Sequence, residues 1–146
     1  MIVNGIELDD FAQGYLECAL FTNEPDAISE SGEFYQKGDW AVTSFTPKAL
    51  QLAVSICTKF QADNAVDLKD VDPTQAGHDL WYTTGGHGVG YWSRPEVYGE
   101  DAAERLTAAS ERAGERYLQW DEDENHPDCG DANGAPLIDG GHIYIS

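Results

Sequence analysis

The side chains best suited to chemistry are gathered between residues 78 and 94. His78-Asp79 superficially resembles the metal-binding dipeptide of phosphohydrolases, where an imidazole and a carboxylate hold a cation. Such sites need further His and Asp ligands on helices, whereas this dipeptide opens a predicted strand. A structural role, hydrogen-bonding the start of that strand, is the simpler expectation. Trp81 and Trp92, beside Gly88 and Gly90, would form an aromatic wall over a flat backbone patch. Such a wall can stack a nucleobase or receive a partner's side chain. The plainer expectation is that this tryptophan face packs against helices, leaving a Tyr82–Tyr91 face exposed with His87 at its tip. Asp79 and Arg94 are placed to pair across the strands. In a regular hairpin His78 and His87 occupy base and tip, ~17 Å apart. Metal–His bonds are ~2 Å, so one ion does not hold both. The candidate ligand- or partner-binding residues are therefore His78, Asp79, Trp81, His87, Trp92 and Arg94, and no residue is assigned a catalytic role.

Other chemistries are excluded by pattern. Gly85-Gly86-His87-Gly88 is followed by no Lys-Ser/Thr pair and opens no helix, so it is not a phosphate-binding loop. Its glycine spacing is wrong for a dinucleotide site, no serine sits in a G-x-S-x-G elbow, and the cysteines have no identifiable His partner. Asp121, Asp123 and Asn125 imitate the start of a calcium loop. However, His126 stands where Gly is needed and Ala132 where a bidentate Glu is needed. His126 and Cys129 are too few for structural zinc. No metal and no cofactor are expected.

The elements that must position these residues can be read from periodicity. Leu8, Phe11, Ala12, Tyr15, Leu16, Ala19 and Leu20 share one helical face. Residues 23–45 read as a loop tacked down by Phe34, Tyr35, Trp40, Val42 and Phe45. Thr46-Pro47 is a helix start, and Leu50, Ala53, Val54, Cys57 and Phe60 form the stripe of a helix ending near Asn64. Asp72-Pro73 marks the next boundary. From Gly77 to Arg94 the strand formers Leu80–Thr84 and Val89, Tyr91 and Trp92 flank the glycines, which predicts a hairpin. Its turn is centred on Gly85-Gly86 or Gly86-His87; both give the same faces. A third helix spans about Glu100 to Arg116, with Ala102, Ala103, Leu106, Ala109 and Ala113 inward. Asp101 and Arg105 are spaced to pair on its surface for about 0.2–0.5 kcal/mol. Tyr117–Trp120 and Gly141–Ile145 read as paired strands around an acidic loop insertion at about 121–140. The expected fold is a single α+β domain over residues 1–146, with three helices packed on one face of a small antiparallel sheet built from two hairpins.

Two stretches carry a resemblance: Ala76-Gly77-His78-Asp79-Leu80-Trp81 and Gly86-His87-Gly88-Val89-Gly90-Tyr91-Trp92-Ser93-Arg94. They resemble a family of small, mostly uncharacterised proteins of bacteriophages and other mobile elements. Its members show A-G-H-D-F-W, then N-G-H-G-x-G-F-W-D-R, then a helix opening near D-R-L. Here that triplet reads Glu104-Arg105-Leu106, and Tyr15–Leu20 is similar to the family's first helix. Gly85 stands where the family usually has Asn and Ser93 where it has Asp, and the 121–140 insertion replaces a short Asp-Gly turn. The resemblance implies a phage or mobile-element origin and a place in the cytoplasm of an infected cell. It implies no reaction.

Charge narrows the partners. The 146 residues carry 27 Asp and Glu against 8 Lys and Arg, a formal charge of −19. This opposes direct binding to nucleic acid or an anionic membrane, both of which need clustered cations. The excess is local: residues 41–120 hold eleven acids and seven bases, whereas both ends are almost purely acidic. No basic and apolar leader opens the chain, and no run approaches the roughly 18 apolar residues of a membrane span. Three cysteines suit a disulfide-free cytoplasmic protein, although one pair can still form. Three functions remain: an acidic surface serving only solubility or salt tolerance, a small enzyme or nucleotide binder using the 78–94 region, or an interaction protein. The third is the expectation adopted. It is a phage-encoded DNA mimic that inhibits a host restriction, CRISPR or transcription protein with a basic surface. Asp121, Glu122, Asp123, Glu124, Asp128 and Asp131 form its acidic surface.

Overall fold

Asn4 and Gly5 have positive φ angles of 51° and 84°, as the tight turns that match strand twist require. They join Ile2–Val3 (β1) to Ile6–Glu7 (β2) in a short antiparallel ladder. The computed structural model describes residues 2–23, 42, 45–86, 88–116, 118–121 and 142–145. Asp9 caps the first helix, Asp10–Asn23 (α1), its Oδ1 accepting from the Ala12 N–H at 2.8 Å. Thr46 caps Pro47–Asp63 (α2) in the same way, accepting from the Ala49 N–H at 3.1 Å, with Pro47 at the first helical position. A short helix, Ala65–Leu68 (α3), follows. Then come Pro73–Gly85 (α4), a 3-10 turn at Tyr91–Ser93, Pro95–Tyr98 (α5) and Glu100–Ala113 (α6).

The expected architecture is overturned by α4. Residues 73–85 form a helix and not the first strand of a hairpin, so among the described residues no sheet platform exists for helices to cover. Asp72 accepts from the Thr74 N–H at 3.1 Å and Pro73 starts the helix, the start signal that Thr46-Pro47 also carries. Ala76, Gly77, Leu80 and Trp81 are buried, a spacing of one helical face. The β-branched Thr83 and Thr84 are tolerated because each hydroxyl donates back to a carbonyl of the preceding turn, that of Asp79 (2.6 Å) and that of Trp81 (3.1 Å). The glycines taken for a hairpin turn end the helix instead. Gly86, at φ 67°, is its left-handed cap, its N–H directed at the carbonyls of Tyr82 and Thr83.

Helices α1 and α4 form the main packing contact, and their backbones touch. A Cβ on Gly77 would lie 2.1 Å from the Phe11 carbonyl oxygen, and one on Gly14 would lie 2.4 Å from that of Thr74. Both positions therefore exclude any side chain. Around this crossing the core gathers Phe11, Tyr15, Leu16, Leu50, Phe60, Leu80, Trp81, Tyr91 and Leu106. Leu118–Asp121 (β3) pairs antiparallel with His142–Ile145 (β4), as the sequence predicts, but among the described residues the ladder has only these two strands. Ile143 is fully buried, and its carbonyl accepts from the Thr46 N–H at 3.0 Å, fixing β4 to the start of α2. Among the described residues the protein is thus helical, with two separate two-stranded ladders. No described helix is long and apolar enough to cross a membrane.

Candidate functional site

Asp79 faces inward from α4 and is fully buried. A buried carboxylate is tolerated only when its oxygens are satisfied, and here both are. Oδ1 accepts from Arg94 Nε at 2.8 Å, while Oδ2 accepts from the Tyr98 hydroxyl at 2.5 Å and from Gln75 Nε2 at 3.2 Å. The Arg94 guanidinium is raised further in pKa, chiefly by its hydrogen bond to Asp79. Burial, then the same carboxylate, push the Tyr98 phenol far upward. Asp79 and Arg94 do pair, but the pair joins α4 to the residue after the 3-10 turn and does not cross two strands.

The neighbouring residues of the 76–94 stretch tighten the same joint. The Tyr91 hydroxyl donates to the Ala76 carbonyl at 2.6 Å, and the Tyr91 N–H donates to Thr83 Oγ1 at 3.1 Å. A Cβ on Gly90 would fall 2.3 Å from that hydroxyl oxygen. The Tyr91 ring stacks on Phe60 at 5.8 Å and meets Tyr98 edge-on at 5.0 Å. Trp81 is buried on α1, its ring edge-on to Tyr15 at 5.2 Å and its Nε1 donating to Thr22 Oγ1 at 2.7 Å. Tyr91 is fully buried as well, so the expected exposed Tyr82–Tyr91 face does not exist. His78 is half-buried on α4. His87 lies outside the described residues, and because residues 73–85 are helical the base-to-tip separation expected of a hairpin does not apply.

Trp92 behaves differently. The two tryptophans expected on one face are separated: Trp81 is in the core, whereas Trp92 is 53% exposed. It lies at one side of an open groove of about 500 Å³, whose other walls include Pro95, Ala103, Thr107 and the carboxylates Glu100, Glu104 and Glu111. The α6 periodicity explains the arrangement. Ala102, Ala103, Leu106 and Ala109 turn inward, and the small Ala103, Thr107 and Ala108 leave room for the groove, while its acids stay on the exposed face. Asp101 and Arg105 do not form the expected pair. Arg105 instead reaches Asp67 on α3, Nε–Oδ2 2.9 Å and Nη2–Oδ1 2.6 Å, and this holds the Asp67 carboxyl below its usual range.

Asp121 is the last residue of β3 and so begins no loop. Glu122, Asp123, Glu124, Asp128 and Asp131, with the rest of the expected acidic insertion, lie outside the described residues. Among the described residues no three His, Cys, Asp or Glu side chains come together to hold a metal ion. Sequence reasoning missed Gln75, Thr83 and Tyr98 as partners of Asp79 and its helix, and Glu100, Glu104 and Glu111 as neighbours of Trp92. The i, i+4 spacing of Gln75 to Asp79 is a usable signal once residues 73–85 are read as helix, and that of Glu100 to Glu104 is one in the helix the sequence already predicts. No family model, no curated protein and no solved structure matches the chain.

Proposed function

We propose that the protein is an acidic interaction protein of phage or mobile-element origin that occupies a basic, nucleic-acid-binding surface of a host protein. One observation carries the reading: an exposed tryptophan set among three glutamates. Tryptophan is favoured as an anchor at protein interfaces, and its ring face attracts Lys and Arg. Glutamates around it complement the same cations and repel phosphate. A partner offering Arg or Lys beside an apolar patch fits this groove; a nucleic acid does not. The net charge of −19 and the resemblance of residues 76–94 to phage proteins support the same reading. Asp79 is unsuited to act as a catalytic base, since it is buried and both oxygens are engaged.

The test uses the full chain as bait in a lysate of a bacterial host, with bound proteins eluted by rising salt and by duplex DNA. A basic nucleic-acid-binding protein, released by both and lost on Trp92→Ala or on joint Glu100→Gln, Glu104→Gln and Glu111→Gln, is the expected result. Neutralising Asp121, Glu122, Asp123 and Glu124 in a separate variant measures the share of the second acidic segment. Capture that is insensitive to salt, or unchanged in every variant, overturns the proposal.

A further inference from the structure

The charge pattern reverses in the cleft between α2 and α6. Of the eight Lys and Arg residues, three (Lys59, Arg112 and Arg116) line one cleft of about 470 Å³ between these helices. One carboxylate, Asp63, joins them there, held by Lys59 Nζ at 2.6 Å. The cleft thus carries a local excess of cations in a strongly anionic protein. Its apolar surface comes from Phe60 and Ile56 of α2 and from Ala109 of α6. Cations at helix carboxyl ends are stabilised by the backbone dipoles, which accounts for Arg112 in the last turn of α6. That does not account for Arg116, whose Nε is buried without any hydrogen-bond acceptor. A buried guanidinium donor left unmatched is costly, and the acceptors that suit it best are carboxylate and phosphate oxygens. The volume falls within the roughly 300–1,000 Å³ of small-molecule pockets.

We propose that the α2–α6 cleft binds a small organic anion: a phosphate or carboxylate group held by Arg112 and Arg116, with an apolar ring or chain against Phe60 and Ile56. The site is distinct from the Trp92 groove and does not depend on the interaction proposed there. Arg112 and Arg116 line the cleft, are charged at every physiological pH and offer forked donors to an anionic group there. The apolar wall then selects for a molecule with more than the anion alone.

Amide NMR spectra of the isotope-labelled full chain, titrated with phenyl phosphate, benzoate, inorganic phosphate and phenol at physiological salt, test this. Phenyl phosphate or benzoate is expected to shift amides in residues 56–64 and 109–116, with a dissociation constant of about 1 mM or tighter. Phosphate-selective and carboxylate-selective sites are told apart by which of the two binds more tightly. Arg116→Gln and Arg112→Gln are each expected to weaken that probe about tenfold. Ala113→Leu, which fills the cleft without changing charge, is expected to weaken it as well. Should Arg116→Gln fail to fold, the other two variants decide the question. Equal binding of phenol, equal binding of inorganic phosphate, no binding of either organic anion, or affinities unchanged in the folded variants each overturn the proposal.

Discussion

Asp79 and Trp92 belong to one short stretch of sequence and have opposite fates. Asp79 is enclosed, and each oxygen is matched to a donor from Gln75, Arg94 or Tyr98. Trp92 is half in solvent, with carboxylates as neighbours and no ring packed on it among the described residues. The residues that look most reactive as letters are those whose chemistry is already spent on holding α4 against the 3-10 turn and α5. The residue with interaction capacity to spare is the one that contributes least to that joint. Chemical character alone is therefore a poor guide to function; the useful quantity is how much of it the fold leaves unused.

The sharpest way to break this contrast is to truncate each tryptophan. Trp81→Ala is expected to cost about 3–5 kcal/mol in urea unfolding, because it opens a cavity and orphans a hydrogen bond to Thr22. Trp92→Ala is expected to change stability by no more than about 0.5 kcal/mol while removing partner binding. Equal destabilisation by the two would place Trp92 in the core. Gly77→Ala comes next, at about 3 kcal/mol, since its methyl group would have to displace the Phe11 carbonyl. A smaller loss, about 2 kcal/mol, is expected for Asp79→Asn, which keeps the shape but exchanges a charged acceptor for an amide beside Arg94. Binding of the partner at the Trp92 groove should survive in whatever fraction of that variant remains folded.

The smallest effect at neutral pH concerns the thiols. Burial pushes Cys18 up to about 12 and raises Cys57 further. Both groups are neutral in the folded protein where the unfolded chain would ionise. Their contribution to stability is complete below about pH 9 and is lost as pH rises toward 12. The urea midpoint should therefore be flat up to about pH 9 and fall beyond it, a fall that Tyr15 and Tyr98 reinforce at still higher pH. Iodoacetamide at pH 8, read by mass spectrometry, should leave Cys18 and Cys57 unlabelled until the protein is unfolded.

Three helices were legible because their signals are local. Phe11, Tyr15 and Leu16 share a helical face, Thr46-Pro47 starts a helix, and Ala102, Ala103 and Leu106 form an inward stripe. Helix α4 is not legible in the same way because two of its local signals are ambiguous. Leu80–Thr84 are strand formers whose packing on α1 overrides propensity, and Gly85-Gly86 serves a helix end as readily as a hairpin turn. Asp72-Pro73 carries the same helix-start chemistry as Thr46-Pro47. The Asn4-Gly5 turn, with apolar residues on both sides, carries the residue pair that a two-residue hairpin favours. The Asp79 network was only partly readable. Its pairing with Arg94 follows from charge, but Tyr98 joins through a 3-10 turn and a one-turn helix that no periodicity announces. The separation of Trp81 from Trp92 follows directly from helix α4.

The α1–α4 crossing also sets an order of events at the ribosome. Trp81 and the Thr22 hydroxyl it bonds are 59 residues apart. Domains are made at about 5–20 residues per second, so roughly 3–12 s separate the synthesis of those two positions. Through that interval the apolar stripe of Phe11, Tyr15 and Leu16 has emerged without the helix that is its main cover. Helix α1 therefore leaves the ribosome ahead of its main cover, which arrives only when the A-G-H-D-L-W segment follows it out.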